Sequence, residues 1–93
     1  MQTNQRNGIS PYIVWHDSDG ELHRDDGPAL ISKNGDQYWF QHGKRHRDDG
    51  PAIEWLDGDK FWYSNDKRLS FDKWLDKVNL SGEEKVMMKL QYG

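Results

Sequence analysis

The block HRDDGPA occupies residues 23–29 and returns unchanged at residues 46–52, which is 23 positions later. The same offset relates Trp39 to Trp62 and several turn glycines to one another. Internal periods of this length are typical of stacked supersecondary units, each of which buries its apolar face against its neighbours. The sequence therefore predicts a short repeat array.

Incomplete copies stand on both sides of the duplicated block. A third copy covers residues 64–68 and then stops, because Leu69 takes the position of His46 and Ser70 follows where an arginine is due. An earlier partial copy covers residues 12–20, and the 23-residue offset aligns two of its residues with the middle copy: Trp15 with Tyr38, and His16 with Trp39. Imperfect terminal copies are typical of short arrays, whose ends need capping.

Strand and turn signals alternate within each copy. Asn34-Gly35 and Asp57-Gly58 predict two-residue type I′ turns, which need a positive φ at both positions. His42-Gly43 and Asn65-Asp66 mark the return turns. The short runs between these turns are rich in aromatic and β-branched residues. We expect an antiparallel β-meander of five or six short strands.

The pattern changes from strand to helix after Ser70. Apolar residues then recur at helical spacing in two stripes: Phe71, Trp74, Leu75 and Val78, followed by Val86, Met87 and Leu90. Ser70 is the expected N-cap of the first helix, and Ser81 with Glu84 forms a capping box for the second. The fold class is therefore α+β, an antiparallel β-meander built from 23-residue hairpin repeats and closed by two short C-terminal helices.

One domain accounts for the whole chain of 93 residues and 11.0 kDa. We expect a flexible tail at residues 1–8 and a single domain at 9–93, with the sheet at 12–69 and a helical cap at 70–93. The absence of cysteine excludes disulfides and thiolate chemistry and favours a cytoplasmic protein. No apolar run is long enough to span a membrane, so no membrane partner is expected.

The duplicated block carries residue types that could bind a metal or transfer protons. His23, Asp26, His46 and Asp49 would be the ligands or acid–base groups of a metal-dependent hydrolase. A catalytic site is unique in three dimensions, however, whereas a repeat needs the same local geometry in every copy. We interpret the block as a turn in which the glycine takes a positive φ, the aspartate caps backbone N–H groups and the arginine pairs with an adjacent acid. No catalytic residue, metal or cofactor is predicted, and the protein is not expected to be an enzyme.

Aromatic side chains should occupy both faces of the sheet, because side chains alternate along a strand. Trp39 and Trp62 point to one face, and four rings point to the other: Tyr38, Phe40, Phe61 and Tyr63. Two short helices can cover only one face, and an exposed apolar face on a small protein indicates a protein partner or a homodimer. The alternative is that long side chains such as Lys33, Lys60 and Arg68 cover the rings. Trp39 and Trp62 are the candidate anchors.

The basic run Arg45-His46-Arg47 offers a second interpretation. Bases interleaved with aromatic residues could bind nucleic acid or a nucleotide by charge and stacking. Asp48 and Asp49 follow at once, and the chain is acidic overall, which disfavours nucleic acid. Arg45 and Arg47 therefore remain candidate binding residues under either hypothesis.

The two HRDDGPA blocks, with WFQHGK at residues 39–44 between them, resemble a MORN-like β-hairpin repeat of small phage and bacterial proteins. The helix start at Leu69-Ser70 is similar to the way such arrays end. Asp66 in place of glycine and His16 in place of tryptophan are departures in the terminal copies. The resemblance implies an interaction scaffold, and a phage accessory protein that binds and modulates or inhibits a host protein in the host cytoplasm.

Overall fold

The structure, a computed structural model, describes residues 2–4 and 13–93. Nine strands lie in these ranges: β1 (Gln2–Asn4), β2 (Ile13–Trp15), β3 (Leu30–Ile31), β4 (Gln37–Tyr38), β5 (Phe40–Gln41), β6 (Lys44–Arg45), β7 (Ile53–Glu54), β8 (Lys60–Ser64) and β9 (Lys67–Leu69). Two helices follow, α1 (Phe71–Lys77) and α2 (Gly82–Tyr92). The predicted α+β class is confirmed.

Seven of the described strands form one antiparallel sheet in the order β1-β2-β3-β4-β7-β8-β9. The β5–β6 hairpin is a separate pair, inserted between β4 and β7. Neighbours in the sheet are also neighbours along the chain apart from this insertion, so the predicted meander is confirmed. Within the predicted tail at 1–8, the structure describes Gln2–Asn4, which pairs with β2. The rest of that tail lies outside the described residues.

The turns differ in type from the prediction. Gly35 has φ +98° and its N–H donates to the Ser32 carbonyl, whereas Asn34 has no positive φ. The Ser32 N–H donates in turn to the Asp36 carbonyl, which makes a three-residue loop with glycine in the left-handed position. Asp57-Gly58 behaves in the same way. The predicted type I′ turns at these two sites are therefore wrong.

Two-residue turns with a positive φ at both positions occur instead in the return hairpins. His42 and Gly43 have φ of 48° and 82°, and Asn65 and Asp66 have φ of 48° and 71°. Asparagine and aspartate tolerate this region better than most non-glycine residues. Asp66 therefore replaces the glycine of the preceding return turn without changing the turn.

Both helix starts form as the sequence predicts. The Ser70 hydroxyl accepts from the Lys73 N–H, and Ser81 and Glu84 form the reciprocal capping box. The core cluster on this side consists of Trp62, Trp74, Leu75 and Val78. The α1 stripe is therefore buried as predicted, and the helices cover the face of the sheet that carries Trp62.

The apolar stripe predicted for α2 is wrong. Val86, Met87 and Leu90 are 56%, 62% and 77% exposed, and the helix instead packs Met88 and Tyr92 against the core. The Tyr92 ring meets the Trp62 ring edge-on at a centroid distance of 5.0 Å. An aromatic contact of this geometry adds stabilisation beyond its buried area, which favours the Tyr92 face over the aliphatic one.

Candidate functional site

The middle copy of the repeat is built around a tryptophan covered by an arginine. The Arg47 Cζ lies 3.9 Å from the centre of the Trp39 ring. Its Nε donates to the Asp49 carboxylate at 2.7 Å, and its Nη1 donates to the Pro51 carbonyl at 3.1 Å. The predicted pairing of the arginine with an adjacent acid is therefore present, and it holds the guanidinium over the indole.

The same unit occurs in the preceding copy with Arg24 on Trp15. The Arg24 Cζ lies 4.0 Å from the ring centre, and the guanidinium donates to Asp26 at 3.0 Å and to the Pro28 carbonyl at 3.2 Å. Trp15 thus takes the place of Trp39, and the predicted alignment of His16 with that tryptophan is wrong. The cause is one additional residue in the turn that follows Trp15.

Gly27 and Gly50 have a different role from the one predicted. Neither has a positive φ. A Cβ on Gly50 would lie 2.6 Å from the Arg47 Cζ, and a Cβ on Gly27 would lie 2.6 Å from the Arg24 Cζ. Glycine leaves room here for the guanidinium to pack directly on the backbone.

The two histidines of the block connect successive hairpins. The His23 Nδ1 accepts from the His42 N–H at 3.0 Å, and the His46 Nδ1 accepts from the Asn65 N–H at 3.0 Å. The Nε2 atoms face Asp25 at 3.1 Å and Asp48 at 2.8 Å. Because each Nδ1 accepts, the neutral ring carries its proton on Nε2.

The residues considered for a metal-dependent hydrolase do not converge. Asp26 and Asp49 are bound by Arg24 and Arg47 of their own copies, and the two histidines serve two different turns. Among residues 13–93, two groups have metal-ligand spacing, and neither combines His23 with His46: Asp17, His23 and His42; and Asp17, Asp19 and Glu21.

The face opposite Trp62 carries a row of apolar side chains. Strand register places Leu30 opposite Tyr38, Tyr38 opposite Ile53, and Ile53 opposite Phe61. Directly paired residues point to the same face, so these four side chains form one row across β3, β4, β7 and β8. Sequence alternation identified Tyr38 and Phe61 in this row, but Leu30 and Ile53 were missed because the prediction considered the aromatic residues alone.

A groove of about 620 Å³ opens over this row. Its lining joins the sheet to the β5–β6 hairpin: Leu30, Ser32, Tyr38, Phe40, Gly43, Arg45, Ile53 and Asp66. Three of its four apolar side chains, Leu30, Tyr38 and Phe40, are half-buried, and Ile53 is 7% exposed. We call the surface formed by Leu30, Tyr38, Phe40, Ile53, Phe61 and Tyr63 the groove face.

An ion pair lies at one edge of the groove. The Arg45 Nε donates to the Asp66 carboxylate at 2.6 Å, and the Arg45 Cζ lies 4.6 Å from the Tyr63 ring centre. The hydrogen bond with Arg45 lowers the pKa of Asp66 and raises the pKa of Arg45. Arg68 lies over Phe61 at 4.6 Å. Long side chains therefore cover Phe61 and Tyr63 in part, as the alternative interpretation holds, and leave the groove beside them.

The structure separates the predicted binding residues into two groups. Tyr38, Phe40, Phe61, Tyr63 and Arg45 belong to the groove side of the sheet, as described above. Trp62 is 8% exposed within the helix-covered core, and Trp39 is half-buried beneath Arg47. Trp62 is therefore a core residue, whereas Trp39 lines a depression together with His46 and Arg47, and its role as an anchor stays a prediction.

The basic run is also divided. Arg45 lines the groove, whereas His46 and Arg47 line a second, smaller depression together with Asp48 and Asp49. Each arginine has its own carboxylate partner, Asp66 or Asp49. The run therefore does not form one continuous basic surface.

Comparison of the chain with protein-family profiles, with curated proteins and with solved structures finds no match. In the part of the chain that the structure describes, neither helix has the length and apolar character needed to cross a membrane.

Proposed function

We propose that this protein is a non-enzymatic protein-interaction module that binds its partner through the groove face. The observation that carries the proposal is the open apolar groove on the side of the sheet away from the helices. Exposed apolar surface of this kind on a small domain is typical of interaction sites.

The composition of the groove favours a protein partner. Tyr38 and Phe40 supply aromatic surface, and tyrosine in particular is enriched among the residues that dominate binding energy in interfaces. Ser32 and the Arg45–Asp66 pair supply polar groups at the edge. An apolar centre with a polar rim matches the usual anatomy of a protein interface.

Charge disfavours the nucleic-acid alternative. Binding to phosphates requires cations that are free to replace counterions. Arg45, Arg47 and Arg24 each already hold a carboxylate, and the chain carries a net charge of -3. Their guanidinium groups are therefore already engaged in contacts within this chain.

The partner that we propose is a protein of the host cell, which follows from the resemblance to MORN-like phage repeats. A second copy of this chain is the competing occupant of the groove. If a second copy occupies the groove, the pure protein self-associates. If a host protein occupies it, the pure protein does not. Sedimentation across a wide concentration range separates them, because only self-association depends on the concentration of this protein alone.

The decisive experiment is capture of partners from nuclease-treated host lysate by wild type and by the double variant Tyr38→Ala/Phe40→Ala. Loss of two central rings should weaken binding at least about 30-fold. The control is Met87→Ala/Leu90→Ala, which removes two apolar side chains, more exposed than the two rings, from α2. Both variants must retain the wild-type circular dichroism spectrum.

A protein captured by wild type and the α2 variant, but not by the folded groove variant, supports the proposal. Equal capture by the groove variant overturns it. Loss of capture only in the α2 variant would indicate that the partner binds the exposed face of α2 and not the groove.

A further inference from the structure

We propose that Asp17, His23 and His42 form a binding site for a divalent transition-metal ion of the zinc class. This site is independent of the groove and of its proposed partner. Each of the three residues offers one ligand atom, and these atoms all lie within 4.8 Å of one another.

The carboxylate of this group is held in place by the turn that contains it. The Asp17 side chain is 11% exposed, and its Oδ1 accepts from the N–H groups of Asp19 and Glu21, both at 3.0 Å. The second oxygen, Oδ2, lies 2.7 Å from the His42 Nδ1. The hydrogen bond with His42 also lowers the pKa of Asp17.

The two imidazole rings lie beside each other. Their centroids are 4.2 Å apart, and His42 is 67% exposed, so its ring can move without disturbing the core. Zinc binds nitrogen and oxygen ligands at about 2.0–2.2 Å, which places tetrahedral ligands roughly 3.3 Å apart. The Asp17–His42 pair would therefore open by about 0.6 Å to admit the ion. His23 would exchange one of its present hydrogen bonds for the metal.

The next copy of the repeat shows that this group is additional to what the fold needs. His46 takes the role of His23, but Asn65 stands at the position of His42 and makes the same backbone contact at 3.0 Å. Gln41 stands two residues after Trp39, where the first copy has Asp17 two residues after Trp15. The Gln41 amide donates instead to the Arg24 carbonyl at 2.9 Å, and the contact between His46 and Asn65 still forms. The hairpin contact alone therefore does not require a carboxylate and a second imidazole.

The ligand set indicates the kind of ion. Imidazole nitrogen suits zinc, copper and nickel, and a carboxylate completes three ligands of a four-coordinate site. Because His42 is exposed, the fourth position would face water. The site as proposed stores or responds to the ion, and no reaction is assigned to it.

The test is a titration of untagged protein with zinc chloride, followed by calorimetry and by the ring ¹⁵N signals of the four histidines. We expect one ion per chain, with shifts at His23 and His42 and none at His46, which is the internal control. His42→Asn installs the residue of the equivalent turn and should reduce affinity at least about tenfold. Asp17→Asn should do the same, and Asp48→Asn should change nothing.

Thermal unfolding gives a second measurement on the same variants. Zinc should raise the melting temperature of wild type and leave that of His42→Asn unchanged, because only an ion that binds the native state stabilises it. The change caused by zinc is compared within each protein, because His42→Asn also removes the hydrogen bond between His42 and Asp17. The proposal is overturned by an absence of binding to wild type, by undiminished binding to His42→Asn, or by equal shifts at His46 and His23.

Discussion

Trp39 and Trp62 occupy the same place in successive hairpins, but side chains of different chemical type cover their rings. Arg47, eight residues after Trp39, lies on the first ring as a cation. Eight residues after Trp62 the chain has Ser70, and the second ring is covered by Trp74 at 4.5 Å. A guanidinium leaves a polar outer surface, whereas an indole extends the apolar core. The change from one to the other is what allows the helices to pack on the end of the sheet.

Replacement of Trp74 by alanine should lower the free energy of unfolding more than either of the two changes that follow. The side chain is fully buried and its Nε1 donates to the Arg47 carbonyl at 2.9 Å, so the variant creates a cavity and removes a hydrogen bond between the two units. We expect a loss of roughly 3–5 kcal/mol in the free energy of unfolding. Urea denaturation measures it, with Leu90→Ala as the exposed control. A loss below about 1 kcal/mol would show that the indole does not hold the helices.

Replacement of Gly50 by alanine tests the arginine-covered unit. The new Cβ would lie 2.6 Å from the Arg47 Cζ and would lift the guanidinium from Trp39. We expect a destabilisation of about 1–3 kcal/mol, measured by thermal or urea unfolding. Gly82→Ala is the control, because a Cβ there meets no atom within 4 Å. If the two variants are equally stable, the close approach of Arg47 to the backbone is unimportant.

Acid should weaken the contact between the second and third hairpins, with the smallest of the three effects. Arg45 lowers the pKa of Asp66 below 3.8 in the folded protein, so this carboxylate stabilises the fold above that pH. The contribution is lost as the pH falls from 3.8 through the lower folded value. Asp66→Asn keeps a residue that tolerates positive φ and removes the charge.

The measurement is the difference in melting temperature between wild type and Asp66→Asn as a function of pH. It should be present at about pH 6, shrink in concentrated salt, and disappear in strong acid. A difference that is constant across this range would assign the effect to the turn and not to the ion pair.

The helix caps and the α1 stripe could be predicted because they depend on neighbours along the chain. Ser70, Ser81 and Glu84 need only their own first turn to satisfy backbone N–H groups. The pairing of Arg47 with Asp49 is equally local, since the two are separated by one residue.

Other features depend on contacts that periodicity does not contain. The approach of Arg47 to Gly50 is set by the stack on Trp39, so the glycine could be recognised as necessary only once that stack was known. Apolar residues recur at helical spacing on two faces of α2. Which face is buried depends on the Trp62 ring across the core, which contacts Tyr92 and leaves Leu90 exposed. The groove depends on cross-strand register, which sequence alternation alone does not supply.

The contact from His46 to Asn65 has a consequence for the length of the molecule. A histidine at this position receives the turn of a following hairpin, whereas Leu69, at the corresponding position, is followed by a helix. The histidine therefore accompanies a following hairpin, and the leucine accompanies the end of the sheet. Each further unit would add two strands, widening the sheet by about 9–10 Å and lengthening the groove face with it. Proteins with wider sheets could arise from this chain by duplication of the hairpin unit alone, with the same C-terminal helices retained.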